Sequence, residues 1–286
     1  MEPPEIAPIP ILVTGAAGRV GRALRVLWGP TLHKIQPILW QSRQLTASDD
    51  LFWDIGQNPP PVLPKGLILL HLAGKTSGAA QDLAQNAQII NAVCAAAVAA
   101  EARHMFLMST AAVYAPGPLP LDEAMPPAPQ NPYGASKLAA EAVAVQAMQG
   151  RLTILRLGNL AGADALLGNT KPGVPVSLDP VVGQVGGPER SYIGPRVLAQ
   201  ILADLIRRVA EDLPLPHVLN LAQPPPVAMA NLLQARGQPW SFGPQRASVV
   251  PRVALNTDRL AALTDVPRTS PQALISDLDS MPGWPL

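Results

Sequence analysis

The chain has 286 residues, with 21 Lys and Arg against 20 Asp and Glu, 34 prolines and one cysteine. That length suffices for one large α/β domain with an attached lobe, without disulfides or metals, and Cys94 alone allows no internal bridge. A net charge of +1 offers no broad field to nucleic acid or an acidic membrane, so the expected partner is a small molecule.

The opening run Met1-Glu2-Pro3-Pro4-Glu5 carries acids and prolines where a secretory leader needs a basic segment and then an unbroken apolar one. The most apolar stretches, Gly66 to Leu70 and Ala95 to Ala100, fall short of the ~20 residues that span a bilayer. A cytoplasmic protein is expected, with no membrane or nucleic-acid partner, and a homodimer is left open. Apolar runs at Ile9 to Val13, Ile38 to Trp40, Leu67 to Leu70, Met105 to Met108 and Leu152 to Leu157 read as strands, separated by Ala/Leu-rich stretches of helical length. This is the rhythm of a parallel sheet with crossover helices. The prolines cluster between those runs, as in Asn58-Pro59-Pro60-Pro61 and Pro224-Pro225-Pro226, and so punctuate loops.

Between the first strand and its helix stands Thr14-Gly15-Ala16-Ala17-Gly18-Arg19-Val20-Gly21. Glycines at these spacings turn the chain sharply, let the backbone approach a pyrophosphate and pack the helix closely, while the helix N-terminus supplies N–H groups. An ordinary tight strand-to-helix turn would carry similar glycines, so the motif needs its partners. The second strand ends Trp40-Gln41-Ser42-Arg43, with no acid for the adenosine ribose. Arg43 could instead meet a 2′-phosphate, which sets NADP ahead of NAD, or it could be a solvated loop cation. Asp54, followed by Ile55, stands where an acceptor for the adenine amino group is wanted; a helix N-cap is its other reading.

Further along, Ser109 and Thr110 follow the fourth of these runs, placing hydroxyls at the carboxyl edge of the sheet, where open α/β folds bind ligands. A helix is expected over Tyr133 to Gln149, with Asn131 as N-cap, Pro132 in the first position and Gly150 in the left-handed C′ position. Tyr133 and Lys137 then lie one turn apart on one face. A free tyrosine titrates near 10, and a neighbouring ammonium, assisted by an oxidised nicotinamide, is expected to bring the phenol towards the working range of a general base. Beyond Leu157 the pattern loosens over Gly162 to Pro188; a helix over Val197 to Arg208 and a strand over Val218 to Leu221 follow. The expected fold class is α/β: a Rossmann-type doubly wound parallel sheet with a smaller C-terminal substrate lobe. Residues 6–160, rejoined by about 190–223, form the NAD(P)-binding core; 161–189 and 224–286 form the lobe.

Thr14 to Gly21, His71-Leu72-Ala73-Gly74, Ser109 to Tyr114, Asn131 to Lys137 and Leu155-Arg156-Leu157-Gly158-Asn159 together resemble the extended short-chain dehydrogenase/reductases, the NAD-dependent epimerase/dehydratase family. The resemblance implies an NAD(P)-dependent oxidoreductase or epimerase that moves hydride on a sugar or nucleotide-sugar-like alcohol or ketone. It implies Tyr133 as general acid/base, Lys137 beside it, Thr110 rather than Ser109 as the catalytic hydroxyl, and Asn86 completing the set through the backbone and a bound water. It places Leu72, Ala73 and Gly74 beneath the adenosine and Asn159 at the nicotinamide end. Lys75, Thr110, Tyr133, Asn159 and Arg190 are its substrate contacts, Arg190 standing where several nucleotide-sugar enzymes hold a diphosphate. The C-terminal Leu255 to Leu260, with Pro267 after it, leans towards a sugar substrate. Two departures point away from a nucleotide sugar: Gly194-Pro195-Arg196 follow Tyr192-Ile193 where the family often has an acid, and Gly162 to Pro188 is short and poor in aromatics.

His33, His71, His104 and His217 lack metal-like mutual spacing, so no metal is expected. Ser109 and Ser136 lack the Gly-x-Ser-x-Gly elbow of a hydrolase. Two alternatives stand beside the main reading: an NADPH-dependent keto-reductase of a non-nucleotide substrate, and a non-catalytic NADP-binding sensor or scaffold. The presence of Tyr133, Lys137 and Thr110 together argues against the second.

Overall fold

The computed structural model describes residues 8–29, 32, 36–44, 47, 50–171, 173–246 and 249–281. The run Met1 to Glu5 and His33 lie outside them. The chain divides into two compact units: Met1–Met108, Ser136–Ile154 and Ala203–His217 form the first, and Ser109–Ala135, Leu155–Leu202 and Val218–Leu286 the second.

In chain order the first elements are β1 (Ile11–Thr14), α1 (Arg19–Trp28), β2 (Ile38–Ser42), β3 (Asp50–Phe52), β4 (Ile68–His71), α2 (Ala80–Ala99), β5 (His104–Thr110), α3 (Pro132–Met148) and β6 (Leu152–Leu157). Then come β7 (Asn159–Leu160), β8 (Val176–Leu178), β9 (Glu189–Ile193), α4 (Pro195–Ala210), β10 (Val218–Leu221) and β11 (Gln223–Ala228). The last are α5 (Met229–Ala235), β12 (Trp240–Phe242), β13 (Arg252–Val253), α6 (Asp258–Ala261) and α7 (Pro271–Asp279). Seven strands make one sheet in the order β10-β6-β5-β4-β1-β2-β3. Its β3-β2-β1-β4-β5 pairings are all parallel, with Thr14 opposite His71.

A parallel sheet covered on both faces wants unbroken apolar strands, and Ile11, Leu12, Val13, Ile68, Leu69 and Leu70 are all buried. The first strand starts two residues later than its apolar run because Pro10 has no N–H for the ladder; Pro10 instead accepts from Ile68 N at 2.9 Å. Strand order reverses direction between β1 and β4. In a doubly wound sheet that switch point opens the crevice at the carboxyl ends of the strands, here Thr14 and His71, where ligands bind.

Helix α3 forms as its caps dictate. Asn131 Oδ1 accepts from Gly134 N at 2.8 Å, and the chain leaves through a left-handed turn that includes Gln149 (φ 46°) as well as the expected Gly150 (φ 89°). Gly134 has a second reason: a Cβ there would overlap the carbonyl of Ala112. In the second unit β9 pairs with β7, β11 and β13, and its core gathers Leu167, Leu178, Tyr192, Leu232, Leu233, Leu274 and Leu278.

Candidate active site

In the first unit, α1 begins at Gly18 with no side-chain cap and no acid in its first turn, while Gly18 N itself donates to Gly15 O at 2.9 Å. Gly15 has φ +74°, and a Cβ there would lie 2.6 Å from Ala73 N; one on Gly21 would lie 2.6 Å from Ala16 Cα. The turn therefore tolerates no side chain at either place. A cavity of about 500 Å³ opens on it, within the range of small-molecule sites. Gly15, Ala17, Gly18, Arg43, Asp54, Ile55, Leu72, Ala73, Gly74 and Lys75 all line it. Arg19, Val20 and Gly21 continue into the first turn of α1. Thr14 is buried, its Oγ1 2.7 Å from His71 Nδ1. Asp54 is not a helix cap: its carbonyl accepts from Gln57 N and Asn58 N in a turn.

Gln41 was legible only as a missing acid, yet it has a definite task. Its Oε1 accepts from Gly15 N at 2.8 Å and its Nε2 donates to the carbonyl of Trp53. Both ends of the amide are thereby committed to main chain, which leaves the exposed Arg43 as the cationic group of this strand end at the cavity.

The Asn86 side chain has partners of its own. Its Oδ1 accepts from Lys75 N (2.7 Å), and its Nδ2 donates to Lys75 O (3.0 Å) and Ser136 Oγ (3.2 Å). It clamps the cavity wall at Lys75 and joins it to α3, spending its amide on protein groups. Asp82, absent from the sequence reading, accepts from Lys75 Nζ at 3.2 Å and from Ala79 N at 3.1 Å; the Lys75 ammonium holds its carboxyl below the usual range.

Lys137 is buried, and a Cβ on Gly74 would lie 3.1 Å from Asn86 Oδ1 and 3.7 Å from Lys137 Nζ, so these three residues converge. Burial pushes the Lys137 ammonium down to about 8, while the Glu141 carboxylate pulls it back up. Burial, and then the charge of Lys137, push His71 down to about 3, which keeps that imidazole neutral.

The second unit holds the proton-transfer candidates. The Tyr133 phenol is hydrogen-bonded to Thr110, whose Oγ1 also accepts from Ala112 N at 3.2 Å. The hydroxyl that meets Tyr133 is thus that of Thr110. Burial raises the phenol above its ordinary value and outweighs the lowering by Thr110. Asn159 is bonded through its side chain to the Tyr192 phenol, which itself donates to Asp164 Oδ2 at 3.2 Å. Arg190 donates to the carbonyls of Glu189 (2.8 Å) and Val250 (2.9 Å), while the Glu189 carboxylate pairs with Arg252 at 3.2 Å. Two of the five guanidinium N–H groups fix Arg190 in place.

The acid missing after Tyr192-Ile193 is supplied from 81 residues further on. Asp277, on α7, accepts from Arg196 N at 3.2 Å and so caps α4, and the Arg196 guanidinium bonds Ser280 at 2.6 Å. Among the described residues no cluster of metal-ligating side chains occurs, and no helix is long and apolar enough to cross a membrane.

Residues 68–175 match the family model described as NAD dependent epimerase/dehydratase family. Asn86, Thr110, Tyr133, Lys137 and Asn159 fall inside this segment, the glycine turn and Arg43 precede it, and Arg190 follows it. No curated protein matches the chain in sequence. Solved structures share the fold. MoeE5 in complex with UDP-glucuronic acid and NAD has 19% identity, covering 94% of this chain and 97% of its own, with a TM-score of 0.74. A UDP-glucuronic acid 4-epimerase from Bacillus cereus has 15% identity, covering 96% and 99%, with a TM-score of 0.74. DesIV, the dTDP-glucose 4,6-dehydratase from Streptomyces venezuelae, has 16% identity, covering 96% of each, with a TM-score of 0.72.

Proposed function

We propose that the chain is an NAD(P)-dependent oxidoreductase or epimerase of a sugar-like alcohol or ketone, with Tyr133 as its general acid/base. Helix α3 carries the reading: Tyr133 is bonded to Thr110 at its start, and Lys137, one turn on, is buried against Gly74. The residues of the first unit fit a dinucleotide, because the glycine turn excludes a Cβ at Gly15 and Gly21 and the α1 N-terminus has no side-chain cap. When bound, the dinucleotide accepts or supplies the hydride. The α1 N-terminus would hold its pyrophosphate, Asp54 would accept from the adenine amino group, and Arg43 would read a 2′-phosphate, which favours NADP.

Tyr133 takes the proton of an alcohol, or gives its own to a ketone oxygen, while Thr110 holds that oxygen by a hydrogen bond. Lys137 donates to the nicotinamide ribose and stabilises the phenolate, offsetting the burial that raises the phenol. The N–H groups of Arg190 not spent on carbonyls are available to an anionic part of the substrate. The UDP- and dTDP-sugar names of the solved structures support a nucleotide-sugar-like substrate. A keto-reductase that releases its cofactor is the second reading, favoured by Arg43.

Tyr133→Phe tests the assignment. Loss of the proton-transfer group should lower kcat by about 10²–10⁴-fold, with dinucleotide affinity within about twofold of the parent. Unchanged turnover in the variant would remove Tyr133 from the mechanism.

A further inference from the structure

Lys137 must keep its proton while buried, and burial works against it. His71, at the end of β4, is neutral; Asn86 on α2 is an uncharged amide; Gly74 contributes backbone; Tyr133 lies one turn back on α3. Glu141 lies one turn forward on the same helix, and it is buried as deeply as Lys137, 3% exposed against 8%. Tyr133, Lys137 and Glu141 thus occupy three successive turns of one helical stripe, an order that puts a carboxylate on the far side of the ammonium from the phenol.

We propose that Glu141 is a positioning residue of the reaction: the buried counter-charge that keeps Lys137 protonated and so able to hold the cofactor and stabilise the Tyr133 phenolate. A buried ammonium without a carboxylate sheds its proton, whereas one with a carboxylate a turn away retains it. The direction of Glu141's effect on Lys137 agrees with this role. The proposal rests on the cofactor role given to Lys137, and Glu141 touches neither substrate nor cofactor in it.

The experiment is the pH dependence of NADPH affinity, read by fluorescence titration from pH 6 to 10 on the parent, Glu141→Gln, Glu141→Asp and Lys137→Met. Parent affinity should fall through a midpoint near 8. In Glu141→Gln the midpoint should move to lower pH by about one unit or more, which is a loss of about fivefold or more at pH 8 that largely recovers at pH 6. Glu141→Asp should restore much of the parent profile, and Lys137→Met should be flat. A Glu141→Gln profile that keeps the parent midpoint, even with a lowered Tm, makes Glu141 a packing residue and overturns the proposal. A profile that survives in Lys137→Met refutes instead the role given to Lys137.

A second measurement needs no ligand. Lys137 has a folded pKa below its unfolded value, so the unfolded state binds more protons between them, and stability must rise with pH from about 8 to the ordinary lysine value. Urea unfolding should show this rise as a difference between the parent and Lys137→Met, because the buried Cys94 thiol, raised to about 11, opposes it in both proteins over the upper part of the range. In Glu141→Gln the rise should begin at lower pH, and an unchanged onset would also sink the proposal.

Discussion

Two helix N-termini of this chain are treated in opposite ways. In the first unit α1 starts bare, at Gly18, beside a cavity of about 500 Å³. In the second, α4 starts under the carboxylate of Asp277, held there by a helix 81 residues away, with Arg196 tied to Ser280. Each N-terminus carries the same unsatisfied N–H groups and partial positive charge. At α4 a side chain from another helix caps them; at α1 no side chain does. The arginines divide likewise. Arg196 is spent on α7 and Arg252 on Glu189, whereas Arg43 is exposed at the cavity.

Changes at the bare terminus should carry the largest effects. Gly15→Ala puts a Cβ 2.6 Å from Ala73 N at a φ of +74°, a backbone cost of about 1–3 kcal/mol before the clash is counted. The urea midpoint should fall and dinucleotide binding disappear together; a variant that binds like the parent would mean the turn is not the cradle. Gly18→Asp would give α1 the cap that α4 already has. Dinucleotide affinity should fall at least about tenfold further than in Gly18→Ala, since a charge-assisted hydrogen bond to a helix N–H is worth ~1.5–3 kcal/mol and the phosphate must now compete with a carboxylate. Equal losses in the two variants would assign the effect to the 3.1 Å approach of a Cβ to Gly15 O.

Arg43→Ala should weaken NADP by about tenfold to a hundredfold, the equivalent of one charged hydrogen bond, and NAD hardly at all. Calorimetric titration with both cofactors decides it, equal losses placing Arg43 outside the phosphate site. The smallest effect belongs to the capped terminus. Asp277→Ala should cost about 1 kcal/mol of stability in urea, leaving cofactor affinity intact. A loss of affinity there would break the distinction between the two helix ends.

Much of this was readable from the chain because it is local. The apolar runs of β1, β2, β4, β5 and β6 repeat at the spacing of a covered parallel sheet, and Asn131, Pro132 and Gly150 bracket α3 by their own backbone preferences. The glycine turn declares itself because steric exclusion at Gly15 and Gly21 allows no other residue. Tyr133 and Lys137 share a helical face by spacing alone.

What the tertiary structure decided are pairings whose members lie far apart in sequence. Gln41 reads as an absent acid until Gly15 N and the Trp53 carbonyl are found on its amide. Nothing in the sequence near Asn86 announces that its side chain will join Lys75 to Ser136. Asp277 gives no local sign that it will cap α4. The ionisation of the site belongs here too: desolvation, which exists only once the chain has packed, raises Tyr133 and lowers Lys137. Helix and strand periods are written in consecutive residues, while burial and long-range hydrogen bonds arise only when distant segments exclude water from one another.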